Sequence, residues 1–418
     1  MIIAFDDTDS RRGMCTTYLC ALLCQKLCRS IPGREGTTKY PKLIRLNPNI
    51  PFKTRGNGAV CFEVAGDSEE IKKTVLKYVK KYSKVKDEKT NPGVVFIERL
   101  GPKEKKILKE FYQRAVSELV TIKDAEKTAK KVKAEIHKFK NGRGIIGALA
   151  AIGADLPDKT YEFVAYRKKK RGERKIDSHS VYEMDEATYP ETFNNIDYKL
   201  KRILILPHGP DPVYCGIRGE SPEVVEKAWN IIRPLEEIER TQIFVTNHGT
   251  DAHLRKKKIS ELKPYDCAII DGTVIDEPIT MYGGHVFFSI KDSSGIIGCA
   301  AYKQTGDFRE TVLKLKVGDK LQASGGISKY PDTLNLEKIQ VLKLVKSYEK
   351  MVPVCCGKRM KSAGKDKGYK CRKCSKRERE IGEKEVIRGI EPGYYETTTG
   401  AMRHLTKPLI RIKNKKGA

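Results

Sequence analysis

The sequence from Tyr265 to Val345 has a strand pattern that leaves few folds open. It consists of short β-branched runs separated by glycine turns, with a helical run, FRETVLKL, between the third strand and the fourth. The five candidate strands are CAIIDGTVI, HVFFSI, GIIGCAAY, KLQASGGI and TLNLEKIQVLKL. Five short strands with one helix in this position are the plan of an OB-type barrel. We therefore predict an OB-type β-barrel over residues 265–345.

Several aromatic side chains of this block are candidates for stacking on nucleic-acid bases. The alternative is that they pack in the core of the barrel, and the sequence leaves both open. The four residues are Phe287, Phe288, Tyr302 and Tyr330.

The segment CCGKRMKSAGKDKGYKCRKC, which follows the barrel, has the cysteine content of a zinc ribbon. Its second cysteine pair has the CxxC spacing that places two thiolates around one tetrahedral ion. The first pair is an adjacent doublet, because Pro353 stands where a CxxC spacing would put a cysteine. A site of three cysteines completed by His404 or by water is therefore an alternative. The candidate zinc ligands are Cys355, Cys356, Cys371 and Cys374.

The charge of the chain favours a polyanionic partner. The formal net charge is +28, and residues 346–418 contribute +13 of it, with 21 Lys+Arg against 8 Asp+Glu. A thermophile-like surface is the alternative, but such surfaces usually stay near charge balance. An excess of this size is neutralised by a phosphate backbone, so we predict nucleic-acid binding.

The remaining composition bounds the class of protein. A hydrophobic content of 39% without a long apolar run predicts no membrane-spanning segment. No secretory leader pattern is present, so we expect a cytoplasmic protein whose 12 cysteines are thiols or metal ligands rather than disulfides.

The N-terminal run MIIAFDDTDS predicts a strand that leads directly into an acidic loop. Carboxylates so close together repel one another unless a counter-charge is bound, and Mg²⁺ with a nucleotide triphosphate supplies one. The alternative is an Asx turn followed by a helix N-cap. No GxxxxGK[ST] loop is present, which excludes a Walker-type NTPase. The candidate magnesium ligands are Asp6, Asp7 and Asp9.

Residues just after the acidic loop are candidates for holding phosphate. Side-chain cations and the amides at a helix start both bind phosphate oxygens. The candidates are Arg11, Arg12 and Gly13, with the first-turn hydroxyls of Thr16 and Thr17 beside them.

The middle third of the chain carries further polar motifs at predicted strand ends. GRGIIGALAAIG predicts a small-residue helix that lets another backbone approach closely. RILILPHGPDPVYCGIRGESPEVVEKAW predicts a strand, a loop with His208, Asp211 and Arg218, and a helix begun by Ser221 and Pro222. IFVTNHGTDAHL predicts a strand that leads to a polar segment with Asn247, His248, Thr250, Asp251 and His253. The order helix, strand, strand, helix, strand suits a ferredoxin-like layer.

Taken together, these motifs resemble the archaeal tRNA(Ile2) 2-agmatinylcytidine synthetase family. The matching segments occur in the family's order over nearly the whole chain: FDDTDSRRGMCTTYL, GRGIIGALAAIGADLPDKTYEFVAYR, HGPDPVYCGIRGESPE, VTNHGTDAHL, the OB-like block and MKSAGKDKGYKCRKC. The adjacent cysteine doublet departs from the family's spaced pair.

The resemblance implies an α+β multidomain fold and an activity. The domains would be a kinase-like α/β domain at 1–137, a ferredoxin-like domain at 138–264, the OB barrel at 265–345 and a zinc ribbon with a basic tail at 346–418. The enzyme would use ATP to attach agmatine to C2 of the wobble cytidine in isoleucine tRNA with a CAU anticodon, so that AUA codons are read. A phosphorylated cytidine would be the intermediate, and AMP and phosphate would be released. No obligate protein partner is implied.

The resemblance also implies residue roles. Asp6, Asp7 and Asp9 would hold Mg²⁺ and ATP. Arg11, Arg12 and Thr16 would face the phosphates, and Thr16 or Thr17 is a candidate phosphoacceptor. The centre where the substrates meet would be lined by His208, Asp211 and Arg218, and Asp211 or Asp251 would bind the guanidinium of agmatine.

Two other functions would each explain part of the sequence. A non-catalytic single-strand-binding protein needs only the OB barrel and the ribbon, but leaves the acidic loop without a role. A ligase or kinase acting on a small molecule has no use for the basic tail.

Overall fold

The structure is a computed structural model that describes residues 1–28, 40–54, 56–169, 172–329, 332–364, 366–379 and 382–414. Tyr330, one of the predicted stacking residues, lies outside the described residues. No helix in the described ranges is long and apolar enough to cross a membrane.

The secondary structure divides into three consecutive blocks. The strands of the first block are β1 Ile2–Asp6, β2 Lys42–Arg45, β3 Gly58–Glu63, β4 Gly93–Ile97, β5 Glu135–Lys138, β6 Thr160–Arg167, β7 Ile196–Asp197, β8 Arg202–Ile203, β9 Val213–Gly219 and β10 Ile238–Thr246. Its helices are α1 Thr16–Cys28, α2 Ser68–Tyr82, α3 Pro102–Ser117, α4 Ile122–Lys131, α5 Ile145–Gly153, α6 Ser178–Thr188 and α7 Pro222–Ile231. The second block has β11 Arg255–Lys256, β12 Cys267–Val274, β13 Ile279–Thr280, β14 Val286–Lys291, β15 Ile296–Ala301, α8 Asp307–Val312, β16 Lys320–Ile327 and β17 Thr333–Lys343. The third has β18 Tyr348–Lys350, β19 Val354–Cys355, β20 Lys358–Arg359, β21 Lys361–Ser362, β22 Tyr369–Lys370, β23 Arg377–Glu378, β24 Glu383–Glu385, β25 Gly393–Glu396 and α9 Leu409–Asn414.

One eight-stranded sheet organises the first block, in the order β5-β4-β1-β3-β2-β10-β6-β9. The pair β10–β2 is parallel, with Val245 opposite Lys42, and the other neighbours are antiparallel. This parallel pair joins strands of the predicted kinase-like region to strands of the predicted ferredoxin-like region.

The central strands of this sheet are apolar because both faces are covered. One face of the β1 half packs against α3, α4 and α5, and the opposite face packs against α1 and α2. In the β6–β9 half, α6 and α7 cover a third core that includes Val181 and Met184. The N-cap of α7 is Ser221, whose hydroxyl accepts the amide of Val224 at 3.2 Å, as the Ser-Pro motif predicts.

The second block confirms the OB-type barrel. The five strands β12, β16, β17, β15 and β14 pair in that order, and β14 pairs back with β12 to close the barrel. Helix α8 lies between the third and fourth of these strands in sequence, as predicted. Phe288 is in the barrel core, whereas Phe287 is partly exposed and Tyr302 is 37% exposed.

The chain leaves the ribbon and returns to the first two blocks. Strand β25 pairs with β17 of the barrel. Farther on, the guanidinium of Arg411 is buried and contacts Glu220, Asp158 and the carbonyl of Gly249. Residues 393–411 therefore fasten the barrel to the sheet of the first block.

Two details predicted for the middle third were wrong. Arg218 was placed in a loop, but it lies in β9, and the predicted strand RILIL is ordered as a strand only at Arg202–Ile203. Helix α6 was missed. It buries only Val181 and Met184 as apolar side chains, so its sequence carries almost no helical periodicity.

Candidate active site

The acidic loop lines a large cavity at the end of β1. The cavity has a volume of about 530 Å³, and all three predicted carboxylates, Asp6, Asp7 and Asp9, line it. Asp7 has a φ of +58°, which turns the chain sharply after the strand. Each carboxylate is held in place: Asp6 accepts the amide of Asp7 at 2.7 Å, Asp7 accepts the amide of Asn91 at 3.0 Å, and Asp9 accepts the hydroxyl of Thr54 at 2.7 Å.

Burial and mutual repulsion perturb these carboxylates. Burial, followed by the charge of Asp9, raises the pKa of Asp6 to about 7. Burial, followed by the charge of Asp6, raises the pKa of Asp7 to about 8. The alternative, an Asx turn before a helix N-cap, does not require carboxylates with raised pKa values. A bound divalent cation would favour the ionised form of both groups. Carboxylate oxygens are ligands that suit Mg²⁺, but Asp6, Asp7 and Asp9 do not converge on one point as the four cysteines of the ribbon do.

The glycine-rich helix α5 explains how Asp6 is enclosed. A Cβ on Gly147 would overlap the Asp6 carboxylate, and one on Gly144 would overlap the Asp6 carbonyl and the amide of Gly93. The motif GRGIIG therefore brings the start of α5 against the end of β1, which confirms the predicted close approach of backbones.

The two threonines at the start of α1 share the cavity with the carboxylates. Both are buried, and the hydroxyl of Thr16 accepts the hydroxyl of Thr8 at 3.1 Å. The predicted phosphate ligands before them lie elsewhere. Arg11 and Arg12 are exposed and do not line the cavity, and Gly13 packs against the carbonyl of Pro210 with a φ of +139°.

The strand-end residues of the middle third divide between two places. His208, Asp211 and Arg218 all line the cavity. Asp211 is buried and accepts the guanidinium of Arg174 at 3.2 Å and the amide of Val213 at 3.0 Å.

Asp251 lies outside the cavity lining, at the contact between the sheet, the barrel and the C-terminal segment. Its carboxylate accepts the ammonium of Lys338 and the amide of Lys407, each at 2.7 Å. The structure therefore does not bring Asp251 together with Asp211.

Sequence reasoning missed Arg45 and Glu162, which form a charged cluster in the cavity wall with the predicted residue Arg218. Arg45 and Arg218 each approach one oxygen of Glu162, at 3.3 Å in both cases. Burial opposes ionisation of Glu162, but the two guanidinium groups hold its pKa well below its usual range. Burial and then Arg218 lower the pKa of His248 to about 4, and the His404 ring lies 5.0 Å from the His248 ring.

A signal for this cluster was present in the sequence. Arg45 follows the apolar pair Leu43 and Ile44 in strand β2, and Glu162 interrupts the largely apolar run TYEFVAYR. A charged residue within a buried strand implies a charged partner, but the sequence does not say which one. A second missed residue is Phe52, which lines the cavity with a 47% exposed side chain and the Arg143 guanidinium 3.9 Å from its ring centroid.

The four candidate zinc ligands converge in the ribbon. Ligand atoms of Cys355, Cys356, Cys371 and Cys374 lie within 4.8 Å of one another. Cys356 has a φ of +51°, which lets adjacent cysteines face one site. His404 packs against His248 in the cavity instead, so the geometry favours the four-cysteine set over the alternative with His404.

The fold and the site together define a class of protein. It is a basic, multidomain protein in which a carboxylate cavity is joined to an OB barrel and a four-cysteine ribbon. Domain models match the chain in this order: TiaS TCKD domain at 2–74, TiaS FLD domain at 142–253, OB-fold nucleic acid binding domain at 258–342 and TiaS C-terminal zinc ribbon domain at 352–390.

Two curated relatives match almost the full chain. The tRNA(Ile2) 2-agmatinylcytidine synthetase TiaS of Pyrococcus horikoshii is 46% identical, over 99% of this chain and 97% of its own length. The protein of the same name from Methanocaldococcus jannaschii is 44% identical, over 99% of both chains. The chain therefore belongs to the tRNA(Ile2) 2-agmatinylcytidine synthetase family, which confirms the resemblance.

Solved structures agree with this family assignment. A TiaS–tRNA(Ile2)–ATP complex is 41% identical, with a TM-score of 0.89 over 98% of this chain and 97% of that chain. A TiaS–tRNA(Ile2)–AMPCPP–agmatine complex is 39% identical, with a TM-score of 0.85 over 98% and 96%. A ZRD-deleted mutant of TiaS in complex with agmatine is 34% identical, with a TM-score of 0.75 over 98% and 96%.

Proposed function

We propose that the protein attaches agmatine to C2 of the wobble cytidine in isoleucine tRNA with a CAU anticodon, at the expense of ATP. The observation that carries the proposal is one cavity that combines partly buried carboxylates of raised pKa with several arginine side chains. Relatives crystallised with tRNA(Ile2), ATP and agmatine support the same substrates. Because the substrate is tRNA, the enzyme would act in the cytoplasm.

The chemistry requires activation of a poor leaving group. The C2 oxygen of cytidine is displaced readily only after phosphorylation, so ATP would first phosphorylate it and agmatine would then displace phosphate. The products of ATP would be AMP and two phosphates: one phosphoryl group would pass through the C2 oxygen of cytidine, and the other would pass to Thr16 or Thr17 and then to water. Clustered carboxylates that hold a cation, and cationic groups near the phosphates, are what this phosphoryl chemistry needs.

Each residue of the acidic end has a proposed role. Mg²⁺ held by Asp6, Asp7 and Asp9 would neutralise the triphosphate. Thr16 and Thr17 line the same cavity, so either is a candidate phosphoacceptor. Because Arg11 and Arg12 are exposed outside the cavity, their contact with phosphate requires a part of the substrate that extends beyond it.

The cytidine and agmatine would enter from the side of the exposed Phe52 ring. The target base must leave the anticodon stack to reach the cavity, and an aromatic ring offers it a stacking surface. For the guanidinium of agmatine, Asp211 is the better of the two predicted carboxylates because it lines the cavity and Asp251 does not. The ZRD-deleted relative in complex with agmatine supports an agmatine site outside the ribbon.

The ribbon and the barrel would hold the tRNA. The ribbon exposes lysines and arginines around the cysteine cluster, which suits a phosphate backbone. A purely binding function does not account for partly buried carboxylates with raised pKa values, so the enzyme is favoured.

One incubation tests the proposal. The full chain, with ATP, Mg²⁺, labelled agmatine and an isoleucine tRNA transcript, should incorporate label and release AMP only when tRNA is present. A matched transcript with uridine at the wobble position is the control and should stay unlabelled. Tight tRNA binding without incorporation or AMP release would instead identify a binding protein.

A further inference from the structure

The charged cluster of the cavity wall spans three strands at one end of the sheet. Arg45 ends β2, Glu162 lies on β6 and Arg218 lies on β9, where it is directly opposite Glu162 in the antiparallel register. Strand β10 lies between β2 and β6 and supplies Phe244 opposite Glu162. The sheet therefore fixes the relative positions of these side chains.

This cluster carries an excess of positive charge. Both arginine side chains are 14% exposed and share one carboxylate that is 4% exposed. His248 adds no negative charge, and no other carboxylate among the residues that the structure describes pairs with either guanidinium. Two guanidinium groups and one carboxylate leave one net positive charge at a largely buried wall, which an anion would neutralise.

The guanidinium groups also have donors to spare. Among the described contacts, Arg45 donates to Glu162 at 3.3 Å and to the Gly56 carbonyl at 3.4 Å, and Arg218 approaches only Glu162. Each guanidinium has five N–H donors in a fork that matches two oxygens of a phosphate.

Glycines border both guanidinium groups and line the same cavity. A Cβ on Gly58 would lie 3.3 Å from Nη1 of Arg45, and a Cβ on Gly216 would lie 2.9 Å from Oε1 of Glu162 and 3.7 Å from Nη2 of Arg218. Larger side chains would therefore take space beside the guanidinium groups that a small anion can use.

We infer that Arg45 and Arg218, aligned by Glu162, form a phosphoryl-binding subsite that receives the phosphate leaving C2 of the activated cytidine. The inference rests on the proposed function. In this step the bond between the agmatine nitrogen and C2 forms, the C2–O bond breaks, its electron pair stays on the phosphate oxygen, and the amine proton passes to solvent. Glu162 is assigned as a positioning residue, because it pairs with both guanidinium groups.

The triphosphate of ATP is the other source of a phosphoryl group. The aspartate cluster and its cation already neutralise a triphosphate, whereas a departing phosphate develops negative charge that bidentate guanidinium groups stabilise. An experiment must therefore separate loss of ATP binding from loss of the displacement step.

The test compares Arg45→Lys, Arg218→Lys and Glu162→Gln with the matched control Arg233→Lys. Arg233 also binds two carboxylates, Asp177 and Glu183, each at 2.7 Å, but at the surface outside the cavity. The full chain is supplied with tRNA and with ATP labelled in its β- and γ-phosphates. Phosphorylated tRNA and incorporated agmatine are then followed over a single turnover.

The three cluster variants should lose agmatine incorporation by about 30-fold to 300-fold and accumulate labelled tRNA. Their Kd for an ATP analogue should change by less than about threefold, and the control should match the wild type. Glu162→Gln keeps the shape of the side chain, so it tests the site even if a lysine variant folds poorly, which melting temperatures reveal.

Two results would overturn the inference. A loss of ATP affinity equal to the loss of turnover would assign the arginines to the triphosphate, and unchanged incorporation would make the cluster structural. If the wild type itself incorporated no agmatine, the proposed function would fail instead, so the two failures are distinguishable.

Discussion

The cavity and the zinc ribbon hold their charged groups in different ways. In the cavity, Asp6 and Asp7 are fixed by backbone amides and by the packing of α5, and their pKa values are raised by burial. In the ribbon, Met360 and Cys371 are the buried side chains among the described residues of 351–382, and most of the basic residues are exposed. The fold therefore holds the cavity in shape, whereas a metal ion must hold the ribbon.

The largest expected effect comes from the acidic end of the cavity. Asp7→Asn keeps the size of the side chain and tolerates the positive φ, but removes a ligand of the proposed cation. Agmatine incorporation should fall by about 1000-fold or more. Filter-binding affinity for the tRNA should stay within about twofold; a parallel loss of affinity would mean that this loop holds RNA.

Excision of the ribbon should have a smaller and different effect. Lys350 and Glu383 are paired in the β18–β24 ladder, so residues 351–382 can be replaced by a short glycine linker. Affinity for tRNA should fall by about 10-fold to 100-fold because several phosphate contacts are lost. ATP binding should be unchanged. A loss of ATP affinity would contradict the assignment of tRNA binding to the ribbon and of ATP binding to the cavity.

Removal of the whole segment 346–418 tests how far the C-terminal segment stabilises the rest of the fold. It also deletes β25, His404 of the cavity lining and the buried Arg411. We expect that variant to unfold at a lower temperature, in contrast to the internal excision, whose melting temperature should be nearly that of the wild type.

Zinc removal should reproduce part of the loss of tRNA affinity that excision of residues 351–382 causes. A chelator that strips the cysteines should lower tRNA affinity by about threefold to tenfold while the ATP Kd stays constant. Zinc added back in excess of the chelator is the control and should restore binding. An unchanged tRNA affinity would mean that the zinc-bound form of the ribbon does not contribute to tRNA binding.

The smallest effect concerns stability. The raised pKa values of Asp6 and Asp7 mean that the folded state holds protons more tightly than the unfolded state, so stability of the metal-free protein falls as pH rises from about 4 to about 8. Metal-free Asp7→Asn should melt about 4 °C above the wild type at pH 8 and no higher at pH 4. Mg²⁺ should raise the melting temperature of the wild type but not of the variant, and a flat pH profile of the difference would contradict the raised pKa values.

The sequence predicted best the features that local pattern determines. The acidic loop, the strands of the barrel and the clustered cysteines each lie within short segments, so their spacing carries the information. The Arg45–Glu162–Arg218 cluster depends on the parallel pair β2–β10, which joins residues about 200 positions apart. Arg45 and Glu162 are 117 residues apart, and no local pattern pairs them. Asp251 is the opposite case: its local motif predicted a substrate-binding residue, but its carboxylate binds Lys338 and Lys407.

Anomalous diffraction from crystals of the full chain soaked with Mn²⁺ and a non-hydrolysable ATP analogue tests the central claim most directly. The account predicts a manganese peak bound by the carboxylates of Asp6 and Asp7, with the triphosphate of the analogue beside it in the same cavity. A triphosphate and ion bound together at any other place in the molecule would contradict it.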